Sequence, residues 1–251
     1  MNTIENQLKH RSIREFTEEE IDEKTLKKLF EVANRTATST GMQSFSIIRV
    51  KDENLKKEIS KVCNQEYASR VKELLIFIVD NYRNLKIGEE QGKNLEKARD
   101  MDRFFQGFTD ACLAAQNMVV AAESLGLGTV YFGSILNDYD RIIELLDLPE
   151  LTFPVAGLGM GYPNQDPQIK PRMPMELKVF ENKYKKFDSY LEKIKDYDMK
   201  MTHYYDTRAE GRRSDSFSKQ VVTRYEQANE KRRKSRRSSS NSKCVVQFKC
   251  C

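Results

Sequence analysis

The chain carries its clearest structural signal at residues 104–132, which read FFQGFTDACLAAQNMVVAAESLGLGTVYF. From Phe104 to Leu125 the apolar residues form two stripes at helical spacing, so we expect one long helix that is buried on nearly all sides. Its small residues indicate close packing, which a partner subunit could share. Gly126 and Gly128 end the helix, and the apolar run 129–132 predicts a strand.

Working outward from this helix, short apolar runs alternate with amphipathic segments, which predicts a compact α+β unit over residues 3 to about 180. Asp22 is expected to cap a first long helix, and Asn137 or Asp138 to cap a later one. Glycines in the last expected strand mark places where a ligand or a backbone would approach closely. The other expected elements are strands at Ser46–Val50, Leu74–Val79 and Phe153–Gly161, helices at Asn54–Val62, Tyr190–Tyr205 and Val221–Lys234, and an extended stretch near Val179–Tyr184.

The composition indicates a folded protein. The chain has 251 residues, of which 39% are hydrophobic and 32% are charged, and this balance excludes a wholly disordered chain. Its longest apolar runs, such as Leu74–Val79, fall short of the ~20 residues that a membrane span needs. The first residues are polar and lack the apolar core of a signal peptide, so we expect a cytoplasmic protein whose main domain does not bind a membrane.

The positive net charge comes from one end of the chain. Eight of the 43 Lys and Arg residues, and none of the 38 Asp and Glu residues, lie in residues 231–251. The rest of the chain is therefore mildly acidic, and its sequence shows no cluster of basic residues of the kind that binds nucleic acid. We expect a functional domain over residues 1–227 and a disordered basic tail over 228–251. The tail is a sequence scar, a shifted reading frame or an idiosyncratic extension. Alternatively, its final Cys250–Cys251 resembles a dual prenylation signal, or its cations bind RNA or anionic lipid.

Several kinds of catalytic site are not indicated. Five cysteines in a chain of this length do not suggest a disulfide framework, and with two histidines they give no zinc spacing. No nucleophile lies in a recognisable turn. The glycines at 126 and 128 are not a dinucleotide fingerprint, because Tyr131 stands where the third glycine would be and a helix precedes them instead of a strand.

Three short segments carry groups that could bind a phosphorylated ligand. The first, His10–Arg14, holds an imidazole, a hydroxyl and two guanidiniums, which match phosphate oxygens. The second is the Ser/Thr/Gly loop Thr38–Gln43, and the third is Lys170–Pro171–Arg172. Taken singly, each is a weak signal, and the ordinary alternative is a solvated turn or loop.

Together these segments resemble the nitroreductase superfamily, and within it the group of NADPH-dependent flavin reductases and oxygen-insensitive nitroreductases. The resemblance covers residues 3 to about 220 and rests on the order and spacing of several motifs. These are His10–Phe16, Gln43 with Ser46–Arg49, Gln116–Asn117 with Ala121–Gly128, Leu148–Pro149, Phe153–Gly161, Lys170–Pro174, and Tyr204–Tyr205 with Thr207–Arg208.

The resemblance implies an intertwined homodimer with a central, mostly antiparallel mixed sheet flanked by helices. It implies tightly but non-covalently bound FMN, NADPH as hydride donor, and ping-pong transfer to a small-molecule acceptor such as a nitroaromatic, a quinone or free flavin. Residues 175–220 would include a segment that crosses onto the partner and a mobile basic loop. Two alternatives on the same fold are a non-catalytic FMN-binding redox sensor and a flavin enzyme of another chemistry, such as a reductive dehalogenase.

The resemblance also assigns roles by position. Arg14 would stabilise the anionic reduced flavin, and the Gly133 backbone N–H would face the flavin N5. Ser134 stands where relatives often have glycine. The remaining cofactor-binding positions are His10, Arg11, Ser12, Lys170 and Arg172 at the phosphate and ribityl end, Gln65 and Tyr131 near the ring, and Ser39, Thr40 and Gln43 from the partner side. Arg208, Arg212 and Arg213 would meet the 2′-phosphate of NADPH, unless they are a solvated run of charges.

Overall fold

The computed structural model describes residues 2–208, 215–227 and 229–233. Predictions that concern residues 209–214, residue 228 or the chain after 233 therefore lie outside the described part. The chain divides into two compact units, the first comprising Met1–Asp166 with the described residues from Asn229 and the second comprising Pro167–Ala228. Within the described ranges, no helix combines the length and apolar character needed to cross a membrane.

The first unit is built on a four-stranded sheet. Its strands are β1 (Phe45–Val50), β2 (Glu73–Asp80), β3 (Gly128–Phe132) and β4 (Thr152–Gly161), in the order β1-β2-β4-β3 with every neighbouring pair antiparallel. The expectation of a central, mostly antiparallel sheet is thus confirmed.

The α-helices of the described residues belong to both units. Those of the first unit are α1 (Thr3–Leu8), α2 (Glu23–Asn34), α3 (Glu53–Cys63), α4 (Tyr82–Glu90), α5 (Met101–Ser124), α6 (Tyr139–Leu145) and α9 (Glu230–Arg233), and those of the second unit are α7 (Tyr190–Arg208) and α8 (Phe217–Glu226).

Strand β2 separates two hydrophobic cores. All eight of its residues are buried, as expected for a central strand covered on both faces. Successive side chains alternate between the faces of a strand. Leu75, Phe77 and Val79 consequently join the core formed with α2 and α5, whereas Leu74, Ile76 and Ile78 join the core formed with α3 and α6.

The helix caps lie where the sequence places them. Asp22 accepts a hydrogen bond from the backbone N–H of Thr25 and caps α2, and Asp138 accepts one from Arg141 and caps α6. A carboxylate at this position satisfies an N–H group that has no partner within the helix. Of the two residues proposed to cap α6, the structure selects Asp138.

The long helix α5 is buried on one side only within the single chain. Ala111, Ala114 and Met118 are fully buried. On the other side Phe105 and Leu113 remain 51% and 46% exposed. The expectation of burial on nearly all sides is therefore wrong for one chain, because no element of the described chain covers the face that carries Phe105, Cys112 and Leu113.

Three further expectations need correction. The stretch near Val179–Tyr184 is not extended throughout, because it bends at 181–183, where Asn182 has a left-handed φ of 60°. The single helix expected at Val221–Lys234 is two, α8 and α9, with a break after Glu226. The glycines of β4 make room for side chains within the chain, since a Cβ at Gly159 would lie 2.9 Å from the Phe132 ring.

The second unit has its own small core. Ile194, Tyr197 and Met201 from α7 are buried together with Tyr204, and Phe217 of α8 packs against them. Ser216 caps α8 through a hydrogen bond to the backbone N–H of Lys219. The packing of the two helices follows from these apolar positions, which recur at intervals of three and four residues.

Candidate functional site

The basic motif near the N-terminus is fixed along the outer edge of β3. Ser12 forms a parallel bridge with Thr129, and the backbone N–H of Ile13 donates to the Thr129 carbonyl at 2.8 Å. Ile13 is buried against Gly128, where a Cβ would lie 2.8 Å from the Ile13 side chain. Phe16 then bridges to Pro163 after β4. The motif is therefore held in place from both ends.

His10 is oriented by a carboxylate of α5. Its Nδ1 lies 2.7 Å from Oε1 of Glu123, and the hydroxyl of Thr129 donates to the same oxygen at 2.7 Å. Since a carboxylate only accepts hydrogen bonds, Nδ1 carries the proton. The Glu123 side chain is only 12% exposed, so the contact is sheltered from water and defines the ring orientation.

The two arginines of the motif have different surroundings. Arg11 forms an ion pair with the exposed carboxylate of Asp166. Arg14 lies over the ring of Tyr67, with its guanidinium carbon 5.9 Å from the ring centroid, and the Tyr67 ring lies 5.5 Å from that of Phe132. Arg14 is thereby placed at the carboxyl end of β3.

Gly133 follows β3 directly and borders open space. It begins a 3-10 turn, Gly133–Asp138, and an added Cβ there would meet no atom of the described chain within 4 Å. The next residue, Ser134, donates its hydroxyl hydrogen to Oε1 of Gln65 at 2.8 Å. Gly133 thus lies between Phe132, whose ring contacts Tyr67 beneath Arg14, and Ser134, which is bonded to Gln65. Open space at such a position is suited to the edge of a planar, polar ring, so these residues fit a flavin.

Tyr131 stands on the exposed edge of the same strand. Its ring is 38% exposed, and its hydroxyl lies 3.5 Å from Oε1 of Gln116 on α5. Burial raises the pKa of the phenol, and the nearby Cys112 and Glu123 add to this effect. Tyr131 therefore remains a neutral hydrogen-bond donor at physiological pH.

The Ser/Thr/Gly loop is anchored separately, at the middle of α5. The carboxylate of Asp110, which is fully buried, accepts the backbone N–H groups of Ser39 at 2.8 Å and Ser44 at 3.2 Å. Between these anchors Thr40 and Gln43 have φ values of 51° and 50°. Such left-handed backbone is unfavourable for these residue types, so the anchors hold the loop in a defined shape.

The two groups of predicted residues are far apart within one chain. Asp110, which holds the loop, and Glu123, which holds His10, are 13 positions apart on α5, or about 20 Å along the helix axis. The structure thus gathers His10, Ser12, Arg14, Gln65, Tyr131 and Gly133 around β3 and leaves Ser39, Thr40 and Gln43 at a different place.

The remaining predicted residues lie in the second unit or outside the described ranges. Lys170 and Arg172 are exposed, and Arg172 donates to the Lys170 carbonyl at 2.9 Å. Arg208 is the last residue of α7. Arg212 and Arg213 lie outside the described residues.

Three supporting residues were not identified as functional from the sequence. Glu123 and Asp110 orient the two groups, and Tyr67 lies beneath Arg14. A signal for the two acids is present in the sequence, because each interrupts an apolar stretch of a helix, where an unpaired charge would be costly. Tyr67 has no comparable signal.

Comparisons with known proteins agree with this architecture. Residues 8–162 match the model of the nitroreductase family, and residues 170–242 match the model of that family's C-terminal domain. An NADPH-dependent oxidoreductase of Staphylococcus saprophyticus is 38% identical over 217 residues, which are 85% of this chain and 86% of the relative. An FMN reductase (NADPH) of Bacillus subtilis is 37% identical over 88% of this chain and 90% of the relative.

A solved structure has the same fold. The NfrA1 nitroreductase from B. subtilis superimposes with a TM-score of 0.85 at 36% identity, covering 90% of this chain and 93% of that one. The sequence and structural matches span both described units. This chain therefore belongs to the nitroreductase family.

Proposed function

We propose that this chain is an NADPH-dependent FMN oxidoreductase that passes electrons to nitroaromatics, quinones or free flavin by a ping-pong mechanism. The observation that carries the proposal is the open space at Gly133, at the end of β3. Its chain neighbours are Phe132, whose ring contacts Tyr67 beneath Arg14, and Ser134, which is bonded to Gln65. The names of the relatives, an NADPH-dependent oxidoreductase and an FMN reductase (NADPH), support the same cofactor and hydride donor.

FMN, when bound, supplies the chemistry by accepting hydride and releasing electrons to the acceptor. In this proposal His10, Arg11 and Ser12 bind the phosphate and ribityl end of the cofactor. Lys170 and Arg172 are assigned to the same end by the family resemblance alone. Arginine and histidine donors suit phosphate oxygens because charge-assisted hydrogen bonds are the strong ones. Glu123 keeps His10 correctly oriented for this contact.

The residues around Gly133 act on the ring. Gly133 offers a backbone N–H next to open space, because a Cβ on this residue would meet no atom of the described chain within 4 Å. Arg14 stabilises the negative charge that the ring acquires on reduction, because a cation fixed in advance stabilises the product more than the neutral starting state. Hydride transfer between stacked rings depends on proximity and orientation, so no side chain has to act as an acid or base.

The active form in this proposal is a homodimer. One chain leaves the face of α5 with Phe105 and Leu113 exposed, and an exposed patch of this kind marks an interaction surface. The loop held by Asp110 lies about 20 Å along α5 from the residue that holds His10. A two-fold partner joins these halves by bringing Ser39, Thr40 and Gln43 of one chain to the ring bound by the other.

NADPH is the favoured donor, and Arg208, Arg212 and Arg213 bind its 2′-phosphate. Residues 1–227 act as the catalytic module, the tail after 227 takes no part in catalysis, and the enzyme acts in the cytoplasm, where its hydride donor is available. An Arg208→Ala variant should raise the KM for NADPH and leave the KM for NADH unchanged. Equal NADPH preference in the variant and the parent would show that Arg208 does not bind the phosphate.

The decisive test is the anaerobic visible spectrum of the purified protein before and after addition of NADPH. A yellow protein that bleaches at once supports bound FMN and hydride transfer. A yellow protein that stays oxidised with both NADPH and NADH would indicate a sensor instead of an enzyme. A colourless protein that FMN cannot reconstitute would refute the proposed function.

A further inference from the structure

Ser134, which directly follows Gly133, holds one end of the Gln65 side chain. Its hydroxyl donates to Oε1 of Gln65 at 2.8 Å, in a contact that is partly buried. A hydroxyl carries a single proton, so this hydrogen bond uses the one donor that Ser134 has.

This arrangement determines which end of the Gln65 amide is available. The carbonyl oxygen is engaged by Ser134, whereas Nε2 has no protein partner among the described residues. The backbone of Gln65 is fixed as well, because its N–H donates to the Ser60 carbonyl at 3.2 Å, directly after the left-handed Asn64. The side chain thus offers an oriented N–H donor from a rigid position.

We propose that Ser134 is a positioning residue that holds Gln65 as a hydrogen-bond donor toward the pyrimidine edge of FMN and thereby raises the reduction potential of the bound flavin. The inference rests on the proposed function. Reduction places negative charge on that edge, and an N–H donor stabilises a charged acceptor more than a neutral one. A Gln65 amide free to rotate would present its oxygen for part of the time, and the preference for the reduced form would fall.

The test is the midpoint potential of the FMN-loaded enzyme in a Ser134→Ala variant. We expect an about tenfold smaller preference for reduced over oxidised FMN, which lowers the potential of a two-electron couple by about 30 mV. Ser134→Thr keeps a hydroxyl and should retain the parent potential. Ser69→Ala is the matched control, because Ser69 donates to the Glu66 carbonyl at 2.8 Å in the turn just after Gln65 and has no hydrogen bond to that side chain.

A double-mutant cycle separates positioning from a general structural effect. Gln65→Ala should lower the potential at least as much as Ser134→Ala, and adding Ser134→Ala to Gln65→Ala should cause no further change. An equal shift in both backgrounds, or no shift in Ser134→Ala, would overturn the inference. Unfolding curves in urea for each variant confirm that the potentials come from folded protein.

The outcomes also distinguish this inference from the proposed function. If the parent enzyme binds FMN and is bleached by NADPH while Ser134→Ala keeps the parent potential, only the role of Ser134 is refuted. If the parent enzyme cannot bind FMN, the proposed function is refuted and this inference with it.

Discussion

Replacing Asp110 by alanine tests whether one buried carboxylate shapes the cofactor loop. Asp110 is fully buried and accepts the backbone N–H groups of Ser39 and Ser44. Hydrogen bonds to a charged group contribute about 1.5–3 kcal/mol each. Since Ser44 is also buried, its N–H would lose its partner without gaining water, and we expect the free energy of unfolding to fall by about 3–5 kcal/mol.

The assay is urea denaturation followed by circular dichroism, with FMN in the same fixed excess for every variant because ligand stabilises by mass action. With a slope of about 2–3 kcal/mol per molar urea, the midpoint should fall by about 1–2.5 M. Asp102→Ala on the same helix is the control, because Asp102 accepts only an exposed hydrogen bond from Gln106. It should change the unfolding free energy by less than about 1 kcal/mol.

A second readout concerns function. Without its anchors, the loop between Ser39 and Ser44 is expected to relax from its left-handed conformation, and FMN should bind more weakly to Asp110→Ala than to Asp102→Ala. If the unfolding free energy of Asp110→Ala lies within about 1 kcal/mol of the parent value and FMN affinity is unchanged, Asp110 is not the anchor that the structure indicates.

Three other substitutions test a buried ion pair of the sheet, the orientation of His10 and the open space at Gly133. Arg49→Ala should lower the unfolding free energy by about 3–5 kcal/mol, measured in urea, because it leaves the buried Glu73 without the guanidinium that contacts it at 2.7 Å; a loss near zero would contradict this. Glu123→Gln should weaken FMN binding about tenfold, a loss of about 1.4 kcal/mol, and leave riboflavin affinity unchanged in fluorescence titrations, since it affects His10 at the phosphate end. Gly133→Ala should retain the parent unfolding free energy within about 0.5 kcal/mol yet bind FMN more weakly, and unchanged FMN affinity would place the flavin elsewhere.

Much of the local structure could be predicted because its causes are local. The Asp22 cap, the apolar run of β2 and the glycine stop after α5 each depend on residues within a few positions of one another. The bend at Asn182 was missed because a left-handed asparagine has no strong signal in a single sequence. The break after α8 was missed because helix ends are the least certain part of such predictions.

The candidate site shows the limit of the same reasoning. The basic motif, the Ser/Thr/Gly loop and Gly133 were found as segments, and their joint function came from the family they resemble. The residues that hold the site in place could not be predicted, because they act through contacts between distant parts of the chain. Examples are Tyr67 beneath Arg14 and Ser134 bonded to Gln65. A one-dimensional pattern holds no information on such pairings when only one sequence is read.

The sequence by itself predicted the α+β class and most of the helices and strands, although not α1 or α4, because hydrophobic period and helix caps depend on neighbouring residues. The order and spacing of its motifs indicated the family, and the resemblance to that family implied the antiparallel sheet. Only the tertiary structure decided that Glu123 orients His10 across 113 positions and that Asp110 holds Ser39 across 71. It also decided that the face of α5 with Phe105 and Leu113 stays uncovered within one chain, and that the two groups of cofactor residues lie about 20 Å apart along this helix. The physical reason is that these properties depend on which surfaces pack together, and packing joins residues whose separation in sequence is arbitrary.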